Sequence, residues 1–250
     1  MTRARELVWD GCINVRDLGG LPTEDGGATR FGAVVRADDL GGLSPAGWEA
    51  LLGYGVSRIV DLRHESGRLL YETKAELLHV PVIDDAGIVA VDELLARVDD
   101  PVEWRRRNYM FFLERYADRF AQAIQAVATA PAGTVLVHCA GGVDRTGLVT
   151  AMLLRLCGVG VEAVADDYAQ SEANWASSVK LWIREAPDEA ERRKRRLLSV
   201  MPADSMRGLL ADLEERHGGV SGYLATSGAT QDDFERIRAR LREEDADVAA

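Results

Sequence analysis

The short β-branched run Thr134-Val135-Leu136-Val137 leads without interruption into His138-Cys139-Ala140-Gly141-Gly142-Val143-Asp144-Arg145-Thr146-Gly147, and a mainly apolar stretch, Leu148 to Leu154, follows. The run comes directly after the turn signal Pro131-Ala132-Gly133, so it reads as a buried strand. The stretch after Gly147 reads as a helix closed at Gly158, because glycine tolerates the left-handed conformation that ends helices. A cysteine thus leaves a strand, the backbone turns on glycines, and an arginine enters the first turn of a helix. Such a unit suits an oxyanion. The N–H groups of the turn point inward and the helix N-terminus adds positive potential. Arg145 grips two oxygens with its planar fork, and Gly141 and Gly142 let the backbone approach a ligand closely. The same field favours a thiolate at Cys139. The implied chemistry is attack of Cys139 on phosphorus, giving a phosphocysteine that water hydrolyses.

Competing readings of the segment fare worse. The Gly-Lys-Ser/Thr ending of a nucleotide-binding loop is absent. Adjacent residues such as His138 and Cys139 rarely converge on one ion, and no further Cys/His cluster exists, so neither metal nor cofactor is expected.

A His-Cys pair, five residues, then Arg-Thr-Gly resembles the signature of the cysteine-dependent tyrosine phosphatase superfamily. Asp144 before the arginine is shared with myotubularin-type lipid phosphatases and with the atypical mycobacterial tyrosine and lipid phosphatases, whereas many dual-specificity enzymes carry glycine there. The mycobacterial type usually has lysine where this chain has Val143. Arsenate reductases share the Cys-to-Arg spacing, but near the N-terminus rather than mid-chain. Further islands resemble the mycobacterial type: Asn14-Val15-Arg16-Asp17-Leu18-Gly19-Gly20, Arg36 (with Ala37 replacing serine), Val60-Asp61-Leu62-Arg63, Asp166-Asp167-Tyr168 and His217 to Leu224. The resemblance implies a tyrosine-phosphatase-like fold in which residues of about 172–215 form a C-terminal helical lid.

Within that frame, Cys139 is the expected nucleophile. Arg145 and the N–H groups of Ala140, Gly141, Gly142, Val143, Asp144 and Arg145 hold the equatorial oxygens. Thr146 is expected to donate to the sulfur, His138 to support the loop from below, and Arg63 to reach the substrate. Two residues compete to protonate the leaving oxygen. Asp144 lies in the loop itself and is favoured. Asp84 follows the third strand, in an acidic loop where such enzymes commonly carry a Pro-Asp pair; here Ile83 stands in place of the proline.

Along the chain, Phe31–Leu40 and Val56–Arg63 read as strands, and Glu76 begins a third that leads into the loop at Asp84. Ser44-Pro45 starts a helix, as N-cap and first helical residue. Met110, Leu113, Ala117, Phe120, Ile124 and Val127 form one core-facing helical stripe within residues 104–128. Val161 to Trp175 is a further helix, and an amphipathic stripe covers Trp175 to Ile183. Arg16 and Asp17 are expected to pair in a tight corner, Arg36 to make a surface salt bridge, and Asp61 to pair with a buried arginine. The run Arg192-Arg193-Lys194-Arg195-Arg196 reads as a solvated helix face, or as recognition of a second phosphate. The fold class is α/β: a mainly parallel central sheet with helices on both faces, one domain over residues 1–243 and an acidic tail at 244–250.

Charge and cysteine usage bound the partners. The formal net charge of −11 opposes nonspecific binding to nucleic acid or an anionic membrane. No segment reads as a signal peptide and none approaches a membrane span, so no stable membrane insertion is expected. The three cysteines, Cys12, Cys139 and Cys157, are too sparse for a disulfide framework. A cytoplasmic location is expected, with leaderless secretion the alternative. Cys157 reads as a packed core thiol and Cys12 as a half-buried structural one; a reversible disulfide shielding Cys139 is the other reading of Cys12. The expected function is metal-independent hydrolysis of a phosphate monoester. The substrate is a phosphotyrosine protein, with dual specificity or a phosphoinositide as variants. A small phosphorylated metabolite, a phosphate-binding module without turnover, and a thiol oxidoreductase are the alternatives.

Overall fold

The computed structural model describes residues 3–64, 73–95 and 97–243. The expected acidic tail at 244–250 lies outside the described residues. The sheet has five strands, β1 (Arg16–Asp17), β2 (Val34–Ala37), β3 (Val56–Asp61), β4 (Glu76–His79) and β5 (Thr134–His138), ordered β1-β2-β5-β3-β4. All neighbouring pairs are parallel except β1 with β2. This is the α/β architecture expected from the alternation of strand and helix patterns.

Alternation along the central strands explains why they run nearly continuously apolar. Val34, Val60, Val135 and Val137 face one core, while Val35, Ala37, Ile59 and Leu136 face another. Successive side chains in a strand point to opposite faces, so a sheet covered on both sides needs apolar residues at every position. Helix α1 (Pro45–Gly53) and the N-terminal segment around Trp9 and Val15 cover one face. On the other lie α3 (Pro101–Arg115), α4 (Ala117–Ala128) and α5 (Asp144–Leu156), with later helices packed outside them. Ser44 caps α1 as expected, its side chain accepting from Gly47 N at 3.1 Å. Gly158 closes α5 with a φ of +80°.

Several local expectations give way to tertiary structure. The strand expected over 31–40 shrinks to β2, because Gly32 turns with a φ of +76° and Asp38 leaves the sheet to accept from Ile13 N and Asn14 N. The stripe over 104–128 is two helices, broken at Tyr116, whose backbone is non-helical (φ −123°, ψ 31°) and whose hydroxyl reaches Asp84. Helix α6 (Val161–Arg184) runs on through Trp175 without interruption. The loop expected after Asp84 is a helix, α2 (Asp85–Leu95), with Asp84 as its cap, accepting from Gly87 N at 3.0 Å. The chain continues through α7 (Glu189–Ser199), α8 (Ala203–His217), α9 (Val220–Thr226) and α10 (Gln231–Leu241).

The topology places the reactive loop. Ala37, Asp61 and His138 lie side by side in register at the carboxyl ends of β2, β3 and β5. The residues that follow them, Asp38-Asp39, Leu62-Arg63 and the Cys139 loop, therefore collect at one edge of the sheet, where open α/β sheets bind ligands.

Candidate active site

The loop from Cys139 to Arg145 is held from outside by its carbonyl groups. Asn14 Nδ2 donates to Gly141 O and to Gly142 O, each at 3.1 Å. Arg36 Nη2 donates to Gly142 O at 2.7 Å, and Trp175 Nε1 to Gly141 O at 3.0 Å. Asp39 N donates to Ala140 O at 3.0 Å. With the carbonyls drawn outward, the peptide planes present their N–H groups to the interior. None of the N–H groups from Ala140 to Arg145 donates to a backbone carbonyl among the described residues. Gly142 makes the turn with a φ of +64°, and a Cβ there would lie 2.6 Å from Ala37 O, so only glycine fits.

Cys139 starts this turn, 2% exposed and packed against the apolar core, and is not itself among the residues that line the cavity. The loop that follows it lines a cavity of about 630 Å³ with Ala140, Gly141, Val143, Asp144 and Arg145. Trp175, Val179 and Trp182 of α6 and Leu198, Ser199 and Met201 at the end of α7 form its walls. Arg145 Nη1 is buried and has no acceptor among the described residues. Buried donors are almost always satisfied, so such a guanidinium N–H on a cavity-lining residue marks a place for an acceptor. Thr146 Oγ1 is buried and has no hydrogen-bond partner among the described residues, so the expected bond to the sulfur of Cys139 is not formed. Among the described residues no cluster of His, Cys, Asp and Glu is placed to hold a metal ion.

His138 lies beneath the loop, fully buried, with Nδ1 3.3 Å from Cys139 O and Nε2 3.6 Å from Asp61. Burial pushes its pKa down from 6.5 to about 4, so it is a neutral support at physiological pH. Arg63 does not line the cavity. Its guanidinium is committed to Asp61 (Nε to Oδ1 2.9 Å, Nη2 to Oδ2 2.6 Å) and to Asp39 at 2.8 Å. It braces the residue that holds Ala140 O, which replaces the substrate contact expected of it and matches the buried pairing expected of Asp61.

The two acid candidates are separated by the structure. Asp144 lines the cavity, and its Oδ1 accepts from Arg105 Nη1 and Tyr109 OH, both at 2.6 Å. Asp84 is absent from the lining and spends Oδ1 on the start of α2 and on Tyr116 OH at 2.5 Å. The Tyr116 hydroxyl, followed by Gly87 N–H, holds Asp84 below the usual carboxylate range. What separates the two is place: Asp144 faces the cavity and Asp84 is engaged at the head of α2.

Sequence reasoning missed the polar scaffold behind the loop. Asp167 of α6, 3% exposed, is shared by Arg5, Arg16 and Arg36. Arg16 therefore pairs with Asp167 and with Asn14 Oδ1 rather than with Asp17. Asp17 instead accepts from Gly19 N and Gly32 N at 2.7 Å each and from Tyr54 OH. Arg36 is 1% exposed, not a surface residue, and its second partner is the loop itself. Arginines surrounding Asp167 hold it far below the usual carboxylate range despite its burial. The basic run of α7 behaves as a solvated face: Arg192 and Arg196 pair with Glu189, Arg195 with Glu191 and Arg193 with Asp99. Cys157 is a core thiol, pushed up to about 12 by burial. Cys12 is half-buried, bonded to Asp39 O, and also pushed upward by burial. That shift disfavours the thiolate needed for exchange with Cys139.

Comparison with known proteins agrees with this geometry. A family model described as the tyrosine phosphatase family matches residues 7–243. A tyrosine-protein phosphatase of Nostoc commune is 28% identical over 229 residues, covering 84% of this chain and 74% of that protein. The triple specificity protein phosphatase PtpB of Mycobacterium tuberculosis is 26% identical over 283 aligned residues, covering 95% of this chain and 98% of that protein.

Proposed function

Because this chain belongs to the tyrosine phosphatase family, we propose that Cys139 is the nucleophile of its reaction and Asp144 the general acid. The family is one of enzymes that act on phosphorylated substrates, and this chain is a protein tyrosine phosphatase. In the first step Cys139 Sγ attacks phosphorus in line with the leaving oxygen. The P–O bond breaks as the S–P bond forms, and Asp144 gives its proton to the departing oxygen. In the second step water attacks the phosphocysteine, Asp144 takes a proton from it, and the thiolate leaves with release of phosphate. Arg145 and the inward N–H groups of Ala140 to Arg145 bind the equatorial oxygens, where transition-state charge is spread. The observation that carries this assignment is the buried Arg145 Nη1, without an acceptor among the described residues, on a cavity-lining loop whose N–H groups from Ala140 to Arg145 donate to no backbone carbonyl among those residues.

The walls favour a phosphotyrosine side chain over a phosphoinositide. Trp175, Val179, Trp182, Leu198 and Met201 offer apolar surface to an aryl ring. Val143 stands in the loop, the arginines of α7 are engaged by carboxylates, and among the described residues Arg145 is the one basic side chain lining the cavity. In this reading residues 1–243 form one phosphatase domain in which segment 172–215 covers the site as a lid. The net charge of −11 supports a protein rather than a nucleic-acid partner. No helix of the described residues is long and apolar enough to cross a membrane. The three free thiols support a cytoplasmic location.

The test is phosphate release from p-nitrophenyl phosphate in EDTA, followed by a panel of phosphotyrosine peptides, phosphoinositides and sugar phosphates. Turnover lost in Cys139→Ser and highest kcat/KM on phosphotyrosine peptides is the expected result. Turnover retained in Cys139→Ser refutes the nucleophile. Preference for a sugar phosphate or a phosphoinositide refutes the substrate class.

A further inference from the structure

The group that holds Asp144 also holds a wall of the cavity. Arg105 of α3 is 1% exposed and spends each of its three nitrogens on a named acceptor. Nη1 donates to Asp144 Oδ1 at 2.6 Å and to Tyr109 OH at 3.2 Å. Nη2 donates to Leu198 O at 2.6 Å, and Nε donates to Val200 O at 2.7 Å. Leu198 and its neighbours Ser199 and Met201 line the cavity opposite α6. One planar guanidinium thus bridges the acid in the loop and the covering segment at the end of α7. Its rigid fork fixes the two relative to each other, which a lysine ammonium cannot do. Tyr109 OH completes the arrangement, donating to the same Asp144 oxygen at 2.6 Å and lying 2.7 Å from Tyr168 OH.

Two donors therefore fill Oδ1, and Oδ2 has no protein donor among the described residues. From this we propose that Arg105 is a positioning residue. It assigns the transferable proton of Asp144 to Oδ2, and it makes that assignment depend on the covering segment Leu198–Val200 being seated. Leaving-group protonation is then coupled to cavity closure: with the segment displaced, Arg105 loses two of its acceptors and its hold on Asp144 slackens. The inference rests on Asp144 being the general acid.

The experiment compares phenyl phosphate, whose leaving group needs a proton, with p-nitrophenyl phosphate, whose leaving group needs much less help. It uses the full chain and the variants Asp144→Asn, Arg105→Lys, Tyr109→Phe and the double variant Arg105→Lys/Asp144→Asn. Asp144→Asn should lose roughly 10²–10⁴-fold in kcat/KM on phenyl phosphate and far less on p-nitrophenyl phosphate, because kcat/KM reports the first step alone and not the hydrolysis common to both esters. Arg105→Lys should show the same asymmetry, with about a 10²-fold loss of kcat/KM on phenyl phosphate. The double variant should be no slower than Asp144→Asn alone, because the two residues act through one proton. Equal losses on both esters in Arg105→Lys, with the asymmetry kept in Asp144→Asn, would overturn the coupling and leave Asp144 as the acid. No asymmetry in Asp144→Asn would overturn the acid assignment itself. If Arg105→Lys does not fold, as judged by thermal melting, Tyr109→Phe carries the test, since it removes one donor to Oδ1 and keeps the ring. Symmetric losses in that variant overturn the proposal.

Discussion

Asp167→Asn tests whether the scaffold behind the loop is as constrained as its geometry implies. In the native protein one buried carboxylate serves Arg16 and Arg36, 0% and 1% exposed at their side chains, and Arg5, which is 20% exposed. The amide keeps the shape of the acid but loses its charge, and it exchanges one acceptor oxygen for a donor facing a guanidinium. Arg5 can rehydrate; Arg16 and Arg36 cannot. Burial and the neighbouring Arg36 already bring Arg16 down from 12.5 to about 10. Removing one partner from a buried ion pair costs about 3–5 kcal/mol. Arg16 retains Asn14 Oδ1, Ser171 Oγ and the carbonyl of residue 167, and Arg36 retains Gly142 O. Those surviving bonds place the expected loss near the lower end, about 3 kcal/mol, or roughly 6–12 °C in Tm for a chain of this size. Because Arg36 also positions the Gly142 carbonyl, kcat should fall as well, at a temperature where the variant is fully folded. Urea denaturation and steady-state kinetics check both. A stability change under about 1 kcal/mol with unchanged kcat would refute the argument that these arginines depend on Asp167 and transmit to the loop.

Other expectations follow from the same geometry. His138 is neutral when folded and binds its proton below about pH 4, against 6.5 for the unfolded chain. The unfolded state thus holds more protons between those values, so its contribution is complete above pH 6.5 and is lost as pH falls toward 4. The difference is worth about 3 kcal/mol. Urea midpoints should fall over that window in the native protein and flatten in His138→Asn; a flat native profile would count against the burial argument. Gly142→Ala should abolish turnover and cost at least about 1–2 kcal/mol, since it combines a left-handed backbone with a Cβ placed 2.6 Å from Ala37 O. Near-native kinetics in that variant would mean the turn can be rebuilt without glycine.

What was legible in the sequence was what is local. The strand, turn and helix from Thr134 to Leu156 announce themselves by period, glycine placement and a stop at Gly158, and Ser44-Pro45 marks a helix start in two residues. What was hidden depends on partners far apart in the chain. Arg105 and Asp144 are separated by 39 positions, Arg36 and Asp167 by 131, and Arg16 and Asp167 by 151. An arginine read alone defaults to the surface, and only the converging elements place Arg36 and Arg105 inside. The cap at Asp84 is a different kind of miss. Its signal was present, an aspartate ahead of Ile88 and Val91 at helical spacing, but two adjacent acids made the stretch look like loop. Tyr116 erred in the opposite sense: an unbroken apolar stripe concealed a backbone break that the stripe itself survives.

Trp175 is clamped by its indole N–H to the carbonyl of Gly141 and stands in the wall of the cavity. The molecule consequently carries its own optical reporter at the reactive loop. An oxyanion settling onto the N–H groups of the turn changes the field across the peptide to which this fluorophore is fastened, so emission can follow occupancy without a label.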